Sequence, residues 1–284
     1  MTAEKITSEN SIQYAGCLDP EAADNIGRSY FRTVGLKDDG DTPQAAAIWE
    51  LKNLDDDDRE TKSYLRWVFF SDDNVKELFK EYGKLSSAEK VHTTGFEFPF
   101  DKFESREDAF NAQGFATKKQ EGRDICITVA DLKKLFIFKK KNVPDYVHPL
   151  SDLDERTFKR GILNCIFHGN RDMTDDLNEL PVDWYERSIS CCSESDGRVE
   201  GFFLARKTGA GRLKVELLIN VGAEPDKDLL NMIRFSGLKT IENYPDDTQI
   251  IIPRIDTVAR KLTDYLFPGH KGEDALYGKR REKV

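Results

Sequence analysis

The sequence predicts an α+β chain with mixed, mostly antiparallel central sheets flanked by helices, the arrangement occurring twice in tandem. Three observations carry this expectation. Residues 201–206 (GFFLAR) and 213–221 (LKVELLINV) are apolar runs on either side of a Thr208-Gly209-Ala210-Gly211 turn, the pattern of a strand pair. Pro225 then opens a helical stretch that Tyr244-Pro245 closes, and an apolar strand (248–255) and a second helical run (256–267) follow. The same order of strand, strand, helix, strand and helix stands upstream. Strand 45–51 corresponds to 201–206 and strand 64–70 to 214–220. Helix 74–85 corresponds to 226–241, strand 90–98 to 248–255, and helix 105–113 to 256–266. Residue identity between the copies is slight, so the repeat is one of order and spacing.

Along the first copy, Asp19-Pro20-Glu21 reads as a helix start, with Pro at the first position and acids in the first turn. The expected helix carries Ala22, Ala23, Ile26, Tyr30 and Phe31 at helical spacing, and Gly35 and residues 37–43 break it. QAAAIWEL (44–51) and YLRWVFF (64–70) are strands. Between them Asp55–Asp58 form a run of four aspartates, read as a solvated hairpin tip because its spacing does not match a calcium loop. Residues 74–85 place Val75, Leu78, Phe79 and Tyr82 on one helical stripe. Strand 90–98, helix 105–113, a hairpin from Gly114-Phe115 to residues 123–129, and a short helix (130–138) complete the half.

The basic, proline-containing run 139–146 (KKKNVPDY) is read as a linker, dividing the chain into domains 1–138 and 147–284. The second half opens with a helix from Ser151 carrying Leu153, Phe158, Ile162, Leu163 and Ile166. A strand is expected over 185–192, and Asp196-Gly197 makes a hairpin turn into the strand pair at 201–221. The terminal residues 279–283 read as a solvated tail.

Composition narrows the function. With 43 basic and 52 acidic side chains, a net charge of −9 argues against a general nucleic-acid binder. The N-terminus lacks the basic-then-apolar layout of a secretory signal, and no apolar run approaches the ~20 residues needed to span a bilayer, so a cytoplasmic protein off the membrane is expected. The five cysteines show no C-x-x-C pair and the four histidines are scattered, so no metal site is expected. Cys191 and Cys192 would point to opposite faces of a strand, with one of them buried. Hydrolase and nucleotide-binding motifs are lacking. The aromatics of YLRWVFF read as core, and Trp184-Tyr185 as the edge of a substrate pocket.

The repeated order resembles the GNAT (GCN5-related N-acetyltransferase) superfamily, as a tandem of two degenerate domains. The strand pair 201–221 running into a long helix is similar to the family's central strands and cofactor helix. Asp256, Ala259 and Leu262 stand at the spacing of its N-x-x-A-x-x-L run, with Asp for Asn, and Gly114-Phe115 resembles the end of its last helix. The resemblance implies an acyl-CoA-dependent N-acyltransferase, with acetyl-CoA or another acyl-CoA as cofactor and a small-molecule or peptide amine as acceptor. It implies a cofactor loop patterned Q/R-x-x-G-x-G/A at the start of the long helix, where backbone amides hold a pyrophosphate. The second copy offers Ile219, Asn220, Val221, Gly222 and Ala223 there, with one glycine and a proline following. The first copy offers Ser71-Asp72-Asp73-Asn74, with none. Acids crowd both helix starts, which suits helix capping. A strand carboxylate, Glu216, is the candidate base, placed by strict alternation on the face of Leu218 and Asn220. The tyrosine that protonates the leaving thiolate in the family has Thr263 in its place in one copy and Phe110 in the other. The competing expectation is a non-catalytic GNAT-like binding or interaction module.

Overall fold

Strands form where the sequence alternates β-branched and aromatic side chains, and helices where apolar residues recur every three or four positions. The structure, a computed structural model, describes residues 1–52, 60–168, 177, 180–254 and 257–282. The Asp55–Asp58 run and Asp256 lie outside these residues. The chain divides into two units, Met1–Gly122 with Glu273–Val284, and Arg123–Gly272. The cut falls inside a strand, and residues 139–146, expected as a linker, lie within the second unit.

The first unit contains β1 (Thr2–Glu4), α1 (Pro20–Ala23), β2 (Phe31–Lys37), β3 (Pro43–Lys52), β4 (Lys62–Phe69), α2 (Val75–Ala88), β5 (Thr93–Pro99), α3 (Phe100–Phe103) and α4 (Glu107–Ala112). The first half of β6 (Ala116–Thr128) and the C-terminal strand β12 (Glu273–Arg281) complete it. Its strand order is β1-β2-β3-β4-β5-β12-β6. β4 and β5 run parallel, and the pairs β1–β2, β2–β3, β3–β4 and β5–β12 are antiparallel. The α2 stripe, Val75, Leu78, Phe79 and Tyr82, is buried on a core that includes Phe70, Phe96, Phe98, Phe103, Phe110 and Phe115. Edge-on, tilted and stacked aromatic pairs fill this core, with Phe96 and Phe110 centroids 4.4 Å apart.

Three sequence expectations change here. The helix at Pro20 ends at Ala23, and Phe31 begins a strand instead. Its Gly35 lies under the Tyr14 ring, where a Cβ would come within 2.3 Å. The expected hairpin over 114–129 is one long strand, β6. The terminal basic run belongs to β12, whose Leu276 is fully buried. Arg280 is no solvated tail: its guanidinium sits 4.6 Å from the Phe115 ring centroid, and its Nη1 donates to the Gln113 carbonyl at 3.0 Å.

The second unit contains the rest of β6, then α5 (Val129–Lys134), β7 (Val147–Pro149), α6 (Glu155–His168), β8 (Cys191–Ser195), β9 (Arg198–Lys207), β10 (Leu213–Asn220), α7 (Pro225–Asn243), β11 (Gln249–Pro253) and α8 (Thr257–Leu266). Its strand order is β6-β11-β10-β9-β8-β7, with β10–β11 the parallel pair. The expected strand at 185–192 starts only at Cys191. The Asp196-Gly197 turn has positive φ at both residues, as the tightest hairpins require. Helices cover both faces of this sheet, so both cysteines of β8 are buried: Cys191 packs with Val147 and Met232, and Cys192 with Phe158 and Phe202. Burial pushes both thiols up, Cys192 to about 12. Among the described residues no helix is long and apolar enough to cross a membrane.

The discontinuous first unit makes a testable demand. Deleting residues 273–284 removes the strand beside β5 and is expected to destabilise the first unit by about 3 kcal/mol or more. Hydrogen exchange reads this out as lost protection over Thr93–Pro99 with protection over Leu213–Asn220 retained. Unchanged exchange at β5 would refute the assignment of β12 to this unit.

Candidate functional site

In each unit the central parallel pair begins in register and then parts. β10 and β11 pair at Leu213↔Ile250 and Lys214↔Ile251 only, although β10 continues to Asn220. β4 and β5 pair from Lys62↔Thr93 to Leu65↔Phe96. A bulge follows the last paired residues in both strands. Val215 opposes Ala205 and Leu217 opposes Leu204, leaving Glu216 as the extra residue; Trp67 opposes Ile48 and Leu65 opposes Trp49, leaving Arg66. Such an insertion bends the strand and increases its local twist. The internal copy is thus visible in strand register.

The bulge also resets the alternation. Val215 and Leu218 line the same cavity, whereas Leu217, Ile219 and Val221 pack on the opposite side against the cluster of Phe158 and Phe202. Strict alternation would have placed Val215 opposite Leu218. The cavity, about 90 Å³, lies between the diverging strands and helices α7 and α8, among Leu213, Ile250, Ile233 and Leu262. Its threonine hydroxyls are already engaged: Thr240 Oγ1 donates to the Ser236 carbonyl and Thr263 Oγ1 to that of Ala259, each at 2.8 Å.

Glu216 is held by cations. Arg206 Nε donates to Glu216 Oε1 at 2.6 Å, and Lys214 Nζ lies 3.5 Å from the same oxygen. The Arg206 side chain is 6% exposed, and its guanidinium lies 5.5 Å from the Trp184 ring centroid. Trp184 is therefore tied to this ion pair, and Tyr185 is part of the core. The first unit has the same pair with the signs exchanged: Arg66 Nε donates to the buried Glu50 at 2.9 Å. Burial pushes the Glu50 carboxyl up, but Arg66, Lys52 and Arg28 outweigh it and hold it below the usual carboxylate range.

The loop leading into α7 is closed on itself. Val221 N donates to the Glu200 carbonyl and Gly222 N to Asn220 Oδ1, both at 2.8 Å. Asn220 Nδ2 donates to Ser193 Oγ at 2.8 Å, fixing the side chain that holds the Gly222 amide. A Cβ at Gly222 would lie 2.4 Å from Glu200 Oε2, so a carboxylate already occupies the ground beside the glycine. Ala223 is exposed, Pro225 has no N–H, and Glu224, Asp226 and Asp228 stand at the helix start. Of the five loop candidates, Ile219 and Val221 face the core, Asn220 and Gly222 bind each other, and Ala223 alone faces solvent.

These residues do not fit a pyrophosphate. A phosphate charge about 5 Å from one of these carboxylates meets about 3 kcal/mol of repulsion at an effective dielectric near 20. The other copy is closed too, since Ser71 N donates to Asn74 Oδ1 at 2.8 Å and Asp72 and Asp73 flank the helix start. The positions of the family's tyrosine hold no proton donor to a ligand: Thr263 is bonded back into its helix, Tyr265 is 77% exposed, and Phe110 is buried. Sequence reasoning missed Arg206 and Glu200. The signal for Arg206 was a charge ending the apolar run GFFLAR, which needs a partner if buried.

Two outcomes follow from the ion pairs. Glu216→Gln keeps a hydrogen-bond acceptor but removes the charge facing buried Arg206, with an expected loss of about 1–3 kcal/mol in urea unfolding. The double variant Arg206→Met/Glu216→Met is expected to recover most of that loss, because neither charge is then left alone. A stable single variant would show that the pair does not support the strand. For Glu50, a depressed carboxyl stabilises the fold above the ordinary carboxylate pKa, about 4.3, and that contribution is lost as pH falls below it. The stability difference between the wild type and Glu50→Gln is expected to shrink over that acid window; a constant difference from pH 7 to 3 would contradict the linkage.

No protein-family model and no curated protein sequence matches the chain. Solved structures do. A tandem GNAT protein from the clavulanic acid biosynthesis pathway superposes with a TM-score of 0.61 at 8% identity, covering 100% of this chain and 99% of its own. A putative acetyltransferase from Pyrococcus horikoshii gives 0.55 at 13% identity, covering 100% and 90%. A probable N-acyltransferase from Enterococcus faecalis V583 gives 0.53 at 14%, covering 99% and 72%. The parallel pair that parts after a bulge, repeated in both units, and these likenesses agree: the chain has the GCN5-related N-acetyltransferase fold, in tandem.

Proposed function

We propose that the protein is a non-catalytic binding module built on the GNAT fold, which has kept the slot between its central strands and given up the pyrophosphate cradle. The observation that carries this reading is the Gly222 amide. It is held by Asn220 Oδ1 with the Glu200 carboxylate beside it, where a cofactor phosphate would have to approach. The engaged state of Glu216 supports the same reading, since one of its carboxylate oxygens is already taken by Arg206 and Lys214.

One observation favours a second reading, acyl-CoA-dependent transfer to an amine. The parting of β10 from β11 after Lys214 leaves an apolar cavity beside the bulge. In that reading the slot orients an acyl group next to the acceptor and Glu216 takes the amine proton.

Isothermal titration of the full chain with acetyl-CoA separates the two. No heat of binding is expected up to about 1 mM cofactor, the affinity of a weak, roughly 4 kcal/mol interaction. Saturable binding below about 0.1 mM would overturn the first reading. In that event Glu216→Gln is expected to lower turnover by about 10²-fold, and an unchanged rate would remove Glu216 from the chemistry.

A further inference from the structure

The segment before β7 is strapped along α7 at two points. At one end Phe138 fills the notch at Gly237, where a Cβ would meet its ring at 2.1 Å. At the other, Tyr146 Oη accepts from Asn231 Nδ2 at 2.7 Å and donates to Asp228 Oδ1 at 2.8 Å. Between these anchors the chain carries Lys139, Lys140 and Lys141 past Arg234, one helical turn before Gly237. Lys140, Lys141, Asn142, Pro144 and Arg234 line an open pocket of about 610 Å³.

Arg234 differs from the other arginines described above. Arg66, Arg206 and Arg280 each have a carboxylate partner. Arg234 gives one Nη1 bond to Asn231 Oδ1 at 3.0 Å, while its Nε is buried without a hydrogen-bond partner. Among the described residues neither Arg234 nor Lys140 nor Lys141 is paired with a carboxylate. Asp228 is taken by Tyr146, and Asp145 is exposed. Three cations gathered without a counter-ion, in a chain of net charge −9, repel one another until an anion joins them.

We propose that this pocket is an anion site for a small phosphorylated molecule, a phosphate monoester or diphosphate. The guanidinium offers the Nη N–H groups that Asn231 leaves free to phosphate oxygens, and the lysines offer point charges. The pocket volume falls in the range of small-molecule sites, roughly 300–1,000 Å³. The site lies about 13 Å along α7 from Pro225 at 1.5 Å per residue, beyond the loop at Gly222, so it stands independently of the CoA reading.

Inorganic pyrophosphate is the probe, titrated into the full chain and followed by calorimetry and by phosphorus NMR line width. Saturable binding is expected near or below about 1 mM at low ionic strength, weakening as salt is added. Arg234→Gln is expected to weaken it about tenfold or more. The exposed double variant Lys140→Gln/Lys141→Gln is expected to do the same with an unchanged circular dichroism spectrum, which keeps the test independent of any folding defect at Arg234. Absence of binding, or binding that both variants leave intact, overturns the site. A short single-stranded RNA that displaces pyrophosphate and binds far more tightly would overturn the small-molecule assignment.

Discussion

The architecture of both units rests on one constraint: a bulge inserted in a central strand at the point where its parallel neighbour leaves it. A strand with an extra residue cannot keep the register of two neighbours at once. In β10 the extra residue, Glu216, stays matched to the antiparallel side through Arg206, and the parallel side is released after Lys214. The cavity, the changed face of Leu218 and the approach of the chain to α7 all follow from that release. In β4 the same insertion at Arg66 follows the last strand pair with β5.

How the loop beyond the bulge closes decides what the slot can hold. Anion binding at a helix start needs free amides and space. Around Gly222 both have gone to intramolecular use, the amide to Asn220 and the space to Glu200. The acids at the start of α7 then cost nothing and favour the helix through its dipole. Each of these contacts is stabilising locally, and together they fit a closed loop better than a pyrophosphate cradle. A GNAT fold that keeps the slot and closes the cradle is coherent as a folded protein.

Much of this was legible in the sequence. GFFLAR, LKVELLINV and the stripe of Val75, Leu78, Phe79 and Tyr82 have a period that local physics enforces, so those elements fall where the residues place them. The loop's single glycine, its proline and its acids were also readable, because backbone donors and charges are local properties. What was not legible depended on distant partners. β12 reads as a basic tail until Leu276 is set beside β5 and Arg280 on the Phe79, Tyr82 and Phe115 rings. Residues 139–146 read as a linker because the groups that anchor their flanks, Gly237 and Asn231, lie about ninety residues on. A bulge has no composition of its own, so the placement of Glu216 could not be taken from alternation.

The sign exchange between the units bears on what the bulge residue is for. In one unit a carboxylate stands on the bulge and an arginine on the neighbouring strand; in the other an arginine stands on the bulge and the carboxylate faces it. A guanidinium cannot accept a proton at any pH the fold survives. In the first unit, then, the bulge side chain is no general base, yet the strand register and ion pair are the same. The feature common to both is the neutralised pair, with its inner member buried as Glu50 or Arg206. Removing either charge alone strands the other in low dielectric, which ties each bulge to its neighbour strand more firmly than backbone hydrogen bonds would alone. On this physical ground Glu216 belongs first to the support of its strand, and any chemistry assigned to it has to begin by breaking that pair.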